Sequence, residues 1–197
     1  MKTKRLIEIL NRHDINKQYF QEIISLIDSG ANINAKGNRD FTSLMIATDL
    51  DYKDIVESLI ASGADINLQN DSGYTALILA ADFGHKDIAK LLITSGAIIN
   101  SRSNTGQTAL ILAAYSKHID VVELLINSGA DINIQNNDGI TALMYAAIQD
   151  YKDIAKLLIN SGADINIKNN KGQTALMIAI DCDSKNVTEL LISLGAK

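Results

Sequence analysis

Six copies of one short phrase recur along this chain at a constant interval. In its fullest form the phrase reads Ser-Gly-Ala-Asp-Ile-Asn, and its glycine returns every 33 residues with no insertion between copies. The glycines of the six copies are Gly30, Gly63, Gly96, Gly129, Gly162 and Gly195. A strict period of this length predicts a stack of similar structural units, a solenoid in which each unit contacts only its neighbours.

Apolar residues precede the phrase glycines in a way that is typical of a helix end. Leu91, Leu92 and Ile93, for example, come shortly before Gly96. Glycine adopts the left-handed backbone conformation that commonly follows a helix, at little steric cost. Each phrase is therefore predicted to end a helix.

A second glycine series, in step with the first, indicates where each unit begins. Each of these glycines is followed, after one residue, by a threonine, and Asn, Asp and Ser gather just before it. Such residues favour turns, and a threonine ahead of an apolar run can cap a helix. The pairs are Gly73 with Thr75, Gly106 with Thr108, Gly139 with Thr141, and Gly172 with Thr174. Each unit is predicted to contain a turn, a Thr-capped helix, a short loop, a second helix and a glycine stop.

The combined pattern is similar to the ankyrin repeat, and the resemblance covers essentially the whole chain. The best single copy runs from Gly73 through Thr75, Leu77, Ala80-Ala81, Gly84-His85 and Leu91-Leu92 to Gly96-Ala97. The resemblance implies an all-α fold, namely an ankyrin-repeat α-solenoid of stacked helix–turn–helix units with protruding β-turn or hairpin loops.

The chain departs from the family pattern in the first helix of each unit. It has no proline, which the family usually carries just after the capping threonine. Where the family carries a histidine in this helix, the chain has Met45, Ile78, Ile111, Met144 and Met177. The hydrogen bonding between threonine and histidine that is usual in the family is therefore absent, and apolar packing is expected to replace it.

A single ankyrin-repeat domain is predicted to span residues 1–197. Its N-terminal capping helices are assigned to 1–34, the repeats to 35–67, 68–100, 101–133 and 134–166, and a C-terminal capping repeat to 167–197. Charged residues of the first cap are expected to face water, as a terminal cap requires. These residues are Lys4, Arg5, Glu8 and Arg12. The second repeat has Asp40 in place of the turn glycine, so its turn is expected to differ.

Two columns of leucine recur without change and are interpreted as core. Each of these leucines is expected to contribute roughly 1.5–3 kcal/mol to stability by burial. The alternative, that they line a ligand pocket, has much less support. The columns are Leu44, Leu77, Leu110, Leu143 and Leu176, and Leu59, Leu92, Leu125, Leu158 and Leu191.

The net charge of −5 is unevenly distributed along the chain, with +3 in the first seventeen residues and −8 in the remainder. An acidic body repels phosphate backbones and anionic lipid, so neither nucleic acid nor a membrane is expected as a partner. The opening stretch lacks the apolar run of a secretory signal, and no later segment approaches membrane-spanning length. A cytoplasmic protein is expected, and delivery as an effector by another route is left open.

Acidic residues recur near the start of the second helix in four repeats. Stacked repeats would hold them about 10 Å apart, too far to share a cation at coordination distances of about 2.3–2.6 Å. A carboxylate near a helix N-terminus instead interacts favourably with the helix dipole. The residues are Asp54, Asp87, Asp120 and Asp153. No metal site and no cofactor are predicted.

No residues have the spacing of a catalytic site. The histidines, His13, His85 and His118, lie in predicted loops, and no Ser or Cys has a base and an orienting acid at motif spacing. The single cysteine, Cys182, lies between two aspartates, whose charges disfavour a thiolate. The sequence therefore favours a protein that is not an enzyme.

The positions that differ most between copies are the turn residue before the capping threonine and the end of the first helix. In ankyrin-like proteins the matching positions, on the hairpin tips and the concave helix face, form the usual binding surface. Here they hold an apolar stripe larger than a solvated face needs, and its flanking acids favour a basic or positively edged partner. The predicted partner-binding residues are Phe41, Asp49, Leu50, Tyr74, Asp82, Phe83, Tyr115, Ile140 and Ile148.

The sequence thus predicts a non-catalytic protein–protein interaction module, with Tyr74, Phe83 and Tyr115 at the centre of its surface. The partner is a protein whose identity the sequence does not specify. A monomer is expected. The alternative is a structural or self-associating protein in which the same surface forms a homo-oligomer.

Overall fold

The computed structural model describes residues 1–12 and 16–196, and over these ranges the chain forms helices, turns and loops without a β-strand. The α-helices follow one another in pairs. They are α1 Lys2–Leu10, α2 Lys17–Asp28, α3 Ser43–Asp49, α4 Lys53–Ala61, α5 Ala76–Asp82, α6 Lys86–Thr94, α7 Ala109–Tyr115, α8 Ile119–Asn127, α9 Ala142–Ile148, α10 Lys152–Asn160, α11 Ala175–Asp181 and α12 Lys185–Ser193. His13 lies outside the described residues, as does Lys197 at the end of the last phrase.

A threonine caps the first helix of each pair from α3 onward, as predicted. The backbone N–H of Ile78 donates to Thr75 Oγ1 at 3.3 Å. The same bond forms at Thr42, Thr108, Thr141 and Thr174. Because the hydroxyl satisfies one of the unpaired N–H groups at the helix start, each threonine determines where its helix begins.

A glycine in the left-handed conformation follows the second helix of each pair, also as predicted. The φ angles of the phrase glycines range from 78° at Gly195 to 102° at Gly162. After α4 the backbone N–H of Ala64 reaches back to the carbonyl oxygen of Leu59 at 3.0 Å. Hydrogen bonds of this kind satisfy the last carbonyl groups of a helix and end it cleanly.

The helix pairs stack in chain order, and each pair contacts the next. The first helices α5, α7, α9 and α11 lie side by side, and the second helices α6, α8, α10 and α12 do the same. Apolar side chains form one continuous core that runs from Leu6 to Leu191. Both leucine columns are buried in it. The predicted all-α solenoid of stacked helix–turn–helix units is therefore confirmed.

Hydrogen bonds link the turns that precede the first helices. The side chain of Asn104 donates to the carbonyl oxygen of Asp71 at 2.8 Å. Asn137 and Asn170 make the corresponding bond to the turn before them. Gly73 permits the close approach of neighbouring turns, since a Cβ at this residue would lie 2.6 Å from the backbone nitrogen of Asn104. The turn tips therefore form an ordered row along the stack.

The turn before α3 uses different residues but keeps the hydrogen bond that closes the others. Asp40 takes the place of the turn glycine with a φ of 59°, a conformation that aspartate tolerates better than most residues. The backbone N–H of Gly37 donates to the carbonyl oxygen of Phe41 at 2.9 Å, as the equivalent residues do in the later turns. Lys36 Nζ donates to the Asp40 carboxylate at 2.9 Å and helps to hold it.

Two enclosed hydroxyl groups in α3 have no hydrogen-bond partner. They are Ser43 Oγ and Thr48 Oγ1, and both residues are completely buried. In α5, α7 and α9 the equivalent positions are alanine, which fills the space without a polar atom. Because an enclosed polar group without a partner costs about 1–3 kcal/mol, α3 carries a destabilising feature that these three helices avoid.

Replacing Leu125 with alanine should lower the free energy of unfolding by about 2–5 kcal/mol, because the lost side chain leaves a cavity. Leu125 is completely buried in the middle of the stack. Denaturant unfolding followed by circular dichroism measures the change. Ile98→Ala, at an exposed residue, is the control and should change stability by no more than about 0.5 kcal/mol. Equal effects of the two substitutions would show that the repeat register is wrong.

Replacing Thr48 with valine should raise the free energy of unfolding by about 1 kcal/mol, since valine has the shape of threonine without the unsatisfied hydroxyl. Thr48→Ser keeps the hydroxyl and removes a methyl group, so it should be less stable than the parent. Calorimetric melting of the three proteins distinguishes the cases. A valine variant that melts below the parent would mean that the hydroxyl has a partner.

Candidate functional site

The turn tips and the ends of the first helices line one side of the stack, where three clefts contain eight of the nine residues predicted to bind a partner. The N-terminal cleft holds Phe41, Asp49 and Leu50. The central cleft holds Phe41, Asp49, Tyr74, Asp82 and Phe83. The C-terminal cleft holds Ile140 and Ile148. Tyr115, the ninth residue, is exposed but lines none of the three.

The central cleft combines aromatic rings with carboxylates in a volume of about 540 Å³. Phe41 and Tyr74 come from two successive turns, each directly before a capping threonine. Asp49 and Asp82 are the last residues of α3 and α5, and Phe83 follows α5. Stacking of the helix pairs brings these residues to one cleft. Rings beside carboxylates suit a side chain that has an apolar stem and a positively charged head.

Negative charge predominates in the lining of the central cleft. Three aspartates, Asp49, Asp71 and Asp82, line it together with one cationic residue, Arg39. The Asp82 carboxylate accepts a hydrogen bond from the hydroxyl group of Ser116 at 3.0 Å, which holds it in place. The cleft therefore presents a net negative field to anything that enters it.

Two residues of this cleft, Asp49 and Tyr74, have surroundings that raise their pKa values. Burial raises the pKa of the Asp49 carboxyl, and the nearby His85 opposes that shift. Burial also raises the pKa of the Tyr74 hydroxyl, with a smaller contribution from the charge of Asp82. Partial loss of water strengthens the attraction of a carboxylate for a cation that enters the cleft.

Tyr115 packs against Tyr145, a residue that the sequence analysis did not select. The two rings meet edge to face with their centroids 5.2 Å apart. The Tyr145 hydroxyl accepts hydrogen bonds from Gln107 Nε2 at 3.1 Å and from Asn136 Nδ2 at 3.3 Å. This network places a second aromatic group on the side of the stack that carries the clefts.

Tyr145 had a detectable signal in the sequence. At its position in the neighbouring first helices the chain has Leu79, Leu112 and Ile178, all aliphatic and buried. A half-buried tyrosine in an otherwise aliphatic column has a polar group that must find a partner. Alignment of the copies column by column, rather than by their most variable positions, would have identified it.

The two outer clefts differ from the central one in their side chains. The N-terminal cleft, of about 570 Å³, is lined by Arg12 as well as by the exposed Leu50. The C-terminal cleft, of about 540 Å³, has the half-buried Ile140 and Ile148 and includes Lys171 in its lining. The predicted stripe is therefore divided among three clefts, of which the N-terminal and central ones share Phe41 and Asp49, and the central one has the most aromatic lining.

Two histidines bridge neighbouring helix pairs. His118 Nε2 lies 3.0 Å from the carbonyl oxygen of Asp82, and His85 Nε2 lies 3.4 Å from that of Asp49. Each ring thus connects the start of a second helix to the end of the preceding pair's first helix. His85 also stacks on Phe83 at 5.9 Å between ring centroids. These contacts give both residues a structural role at the edge of the central cleft.

The acidic column lies in the first turns of α4, α6, α8 and α10, as predicted. Among the described residues, no group of three or more His, Cys, Asp or Glu side chains is arranged to hold a metal ion. Cys182 is exposed at the end of α11. None of the helices in residues 1–12 and 16–196 combines the length and the apolar character needed to span a bilayer.

Comparison with known proteins identifies the repeat family. A family model described as ankyrin repeats (3 copies) matches residues 44–136 and 128–197. The two matched ranges overlap and together include every helix from α3, which they enter at its second residue, to α12. The N-terminal cap lies outside the match, in agreement with its lack of the turn glycine and threonine. No curated protein matches the chain.

Replacing Asp49 with asparagine should stabilise the fold at neutral pH and have little effect in acid. Because burial raises the pKa of Asp49 above its ordinary value of 3.8, the folded chain binds this proton more tightly than the unfolded chain does. Stability is therefore lost as the pH rises from the pKa of Asp49 in the unfolded chain to its higher pKa in the folded chain. Asparagine has no ionisable proton, so the variant avoids this loss. Melting curves of the parent protein and of Asp49→Asn at about pH 3 and about pH 7 measure this difference in stability.

Asp153→Asn is the control for this experiment, since Asp153 lies in the first turn of α10 and lines none of the three clefts. Its replacement should not stabilise the protein at either pH, because the carboxylate interacts favourably with the helix dipole. A gain from Asp49→Asn of the same size at both pH values would show that ionisation is not its cause.

Proposed function

The chain belongs to the ankyrin-repeat family, and from this premise we propose that it is a non-catalytic module that binds a partner protein along its turn tips and first helices. Ankyrin repeats are generally protein–protein interaction modules. The observation that most supports this assignment is the central cleft, where the rings of Phe41, Tyr74 and Phe83 lie beside Asp49 and Asp82.

The exposed large apolar side chains on this side are not required by the scaffold. Phe83 and Leu50 are exposed, and the same position in later pairs is Ser116, Gln149 and Cys182. The repeat thus tolerates polar residues where it carries a large ring. Because water contact with such a ring is unfavourable, its presence supports contact with a partner. Aromatic residues are also the side chains that most often dominate binding energy at interfaces.

The charge of the central cleft defines the chemistry of the partner. Asp49, Asp71 and Asp82 favour a basic or positively edged protein segment, and Arg39 is the one opposing charge in the lining. Complementary charge increases the rate of association and excludes acidic partners. Nucleic acid and anionic membranes fit this surface poorly for the same reason.

The absence of catalysis is part of the proposal. Ankyrin repeats are typically non-catalytic. His85 and His118 are used in contacts between helix pairs, and Cys182 lies beside acidic residues at the end of α11. These three residues therefore have structural or surface environments rather than the paired geometry of a nucleophile and its base.

Alanine at Phe83 or Tyr74 should weaken partner binding by about 2 kcal/mol or more, roughly 30-fold, because central rings carry most of the energy of an interface. The partner is first isolated with the intact chain as bait and identified by mass spectrometry, and its affinity for each variant is then measured by calorimetry. Phe83→Ala should leave the melting temperature nearly unchanged, since Phe83 is 49% exposed and lies outside the buried core.

Two control variants locate the interface. Ile98→Ala removes an exposed apolar side chain outside the clefts, and Lys90→Glu changes a charge on the exposed face of α6; neither should affect affinity. Normal binding by the ring variants together with loss of binding in Lys90→Glu would place the interface on the second helices. A homo-oligomer disrupted by Phe83→Ala would support the alternative, self-association through the same surface.

A further inference from the structure

Asp49 and Asp82 place carboxylates where the helices do not need them. They are the last residues of α3 and α5, and a negative charge at the C-terminal end of a helix interacts unfavourably with the helix dipole. The same position is Tyr115 in α7 and Ile148 in α9, so these helices end without a charge. Because α3 and α5 lie side by side, the two carboxylates belong to adjacent helix ends, where like charges repel. The stability of the stack therefore does not account for this pair.

Contacts within the chain compensate these two charges only in part. The Asp82 carboxylate accepts a hydrogen bond from the hydroxyl group of Ser116 through one of its two oxygens. Among the described residues, none donates a hydrogen bond to the Asp49 carboxylate, and none forms an ion pair with either group. Asp181, at the same position of α11, is held by Gln173 Nε2, which donates to it at 2.8 Å. Asp49 and Asp82 thus keep acceptor oxygens that remain available in the central cleft.

Aromatic rings lie beside these carboxylates in the same cleft. Phe83 directly follows Asp82 and is exposed, while Phe41 and Tyr74 are half-buried. The face of an aromatic ring attracts a cation that lies within about 6 Å of its centre. Rings can also cover the apolar stem of a long basic side chain. The cleft therefore offers such a side chain an apolar surface for its stem and carboxylates for its head.

We propose, on the basis of the proposed function, that the central cleft binds one arginine side chain of the partner protein. The guanidinium group lies against the Phe83 ring and donates hydrogen bonds to the carboxylates of Asp49 and Asp82. Its N–H groups point in several directions within one plane, so it contacts two acceptors at once while its face stacks on a ring.

The spacing of the two carboxylates favours arginine over lysine. Packed helices are about 8–10 Å apart, and Asp49 and Asp82 occupy the same position on neighbouring helices. A guanidinium between two carboxylates spans about 8 Å from oxygen to oxygen, since two hydrogen bonds of about 2.9 Å add to its own width. A lysine ammonium donates from a single nitrogen and spans only about 6 Å. A metal ion is less suitable still, because the described residues contain no group of three or more His, Cys, Asp or Glu side chains arranged to hold one.

Arg39 is the cationic residue in the lining of this cleft. It lies on the turn before α3 and is exposed, and it forms no ion pair with Asp49 or Asp82 among the contacts of the described residues. Its charge therefore repels an incoming arginine without neutralising the two carboxylates. Removal of this charge should strengthen the binding of a cationic side chain.

Titration of the full chain with N-acetylarginine methylamide, followed by two-dimensional amide NMR, tests the proposal without an identified partner. The amide signals of Leu50 and Phe83 should shift with a dissociation constant of the order of 1 mM, an affinity suited to a single side chain. N-acetyllysine methylamide should bind about tenfold more weakly, because it lacks the planar fork. The citrulline analogue, which has nearly the shape of arginine without its charge, should not bind.

Five single variants locate the probe. Asp49→Asn, Asp82→Asn and Phe83→Ala should each weaken binding of the arginine probe about tenfold, since each removes one of its contacts. Arg39→Gln should strengthen this binding about twofold, as expected for loss of an exposed like charge. Asp153→Asn is the control, because it makes the same charge change outside the three clefts, and it should leave the affinity unchanged.

The possible results separate this inference from the proposed function. Binding of the arginine probe that requires Asp49 and Asp82 but not Asp153 supports the inference. Absence of any shift at about 20 mM probe, twenty times the expected dissociation constant, overturns it. Equal affinity for the lysine probe, or shifts that persist in Asp49→Asn and Asp82→Asn, also overturn it. Failure of the proposed function has a different signature, namely a partner protein whose affinity is unchanged in Phe83→Ala.

Discussion

Burial of each helix pair against the next is the interaction on which the rest of this structure depends. No unit of 33 residues could bury a sufficient core by itself. The first helices approach closely because Ala81, Ala114 and Ala147 are small and completely covered. Stability is therefore shared between neighbouring pairs.

The same stacking determines where functional side chains can lie. Each threonine cap and each turn glycine returns at the same place in its unit, and side-chain bonds such as that from Asn104 to Asp71 keep successive turns in line. The residue before each capping threonine and the residue at the end of each first helix therefore take the same position in every unit. Asp49, Asp82 and Tyr115 occupy one such position, so the scaffold accepts both a carboxylate and a ring there. Variation at these positions changes the surface without changing the fold.

Local rules in the sequence were sufficient to predict the fold. The capping threonines and the stop glycines each depend on residues within a few positions of one another. The 33-residue period is the regular recurrence of these local signals, and both signals are present in the structure. The site was only partly predictable, because its features depend on contacts between units. Tyr145 is held by Gln107, 38 residues away in sequence. Whether a carboxylate such as Asp49 loses water depends on the turns and rings that surround it, and periodicity contains no such information.

Polar groups in unfavourable surroundings are distributed differently between the buried core and the surface clefts. In α5, α7 and α9 the core positions equivalent to Ser43 and Thr48 are alanine, so polar groups have been excluded where they would have no partner. The central cleft, by contrast, contains Asp49, an ionisable residue whose burial raises its pKa. A carboxylate retained where it is partly dehydrated reduces stability unless a cation compensates it. Because three aspartates and one cationic residue, Arg39, line this cleft, its lining keeps a net negative charge that the aliphatic core excludes.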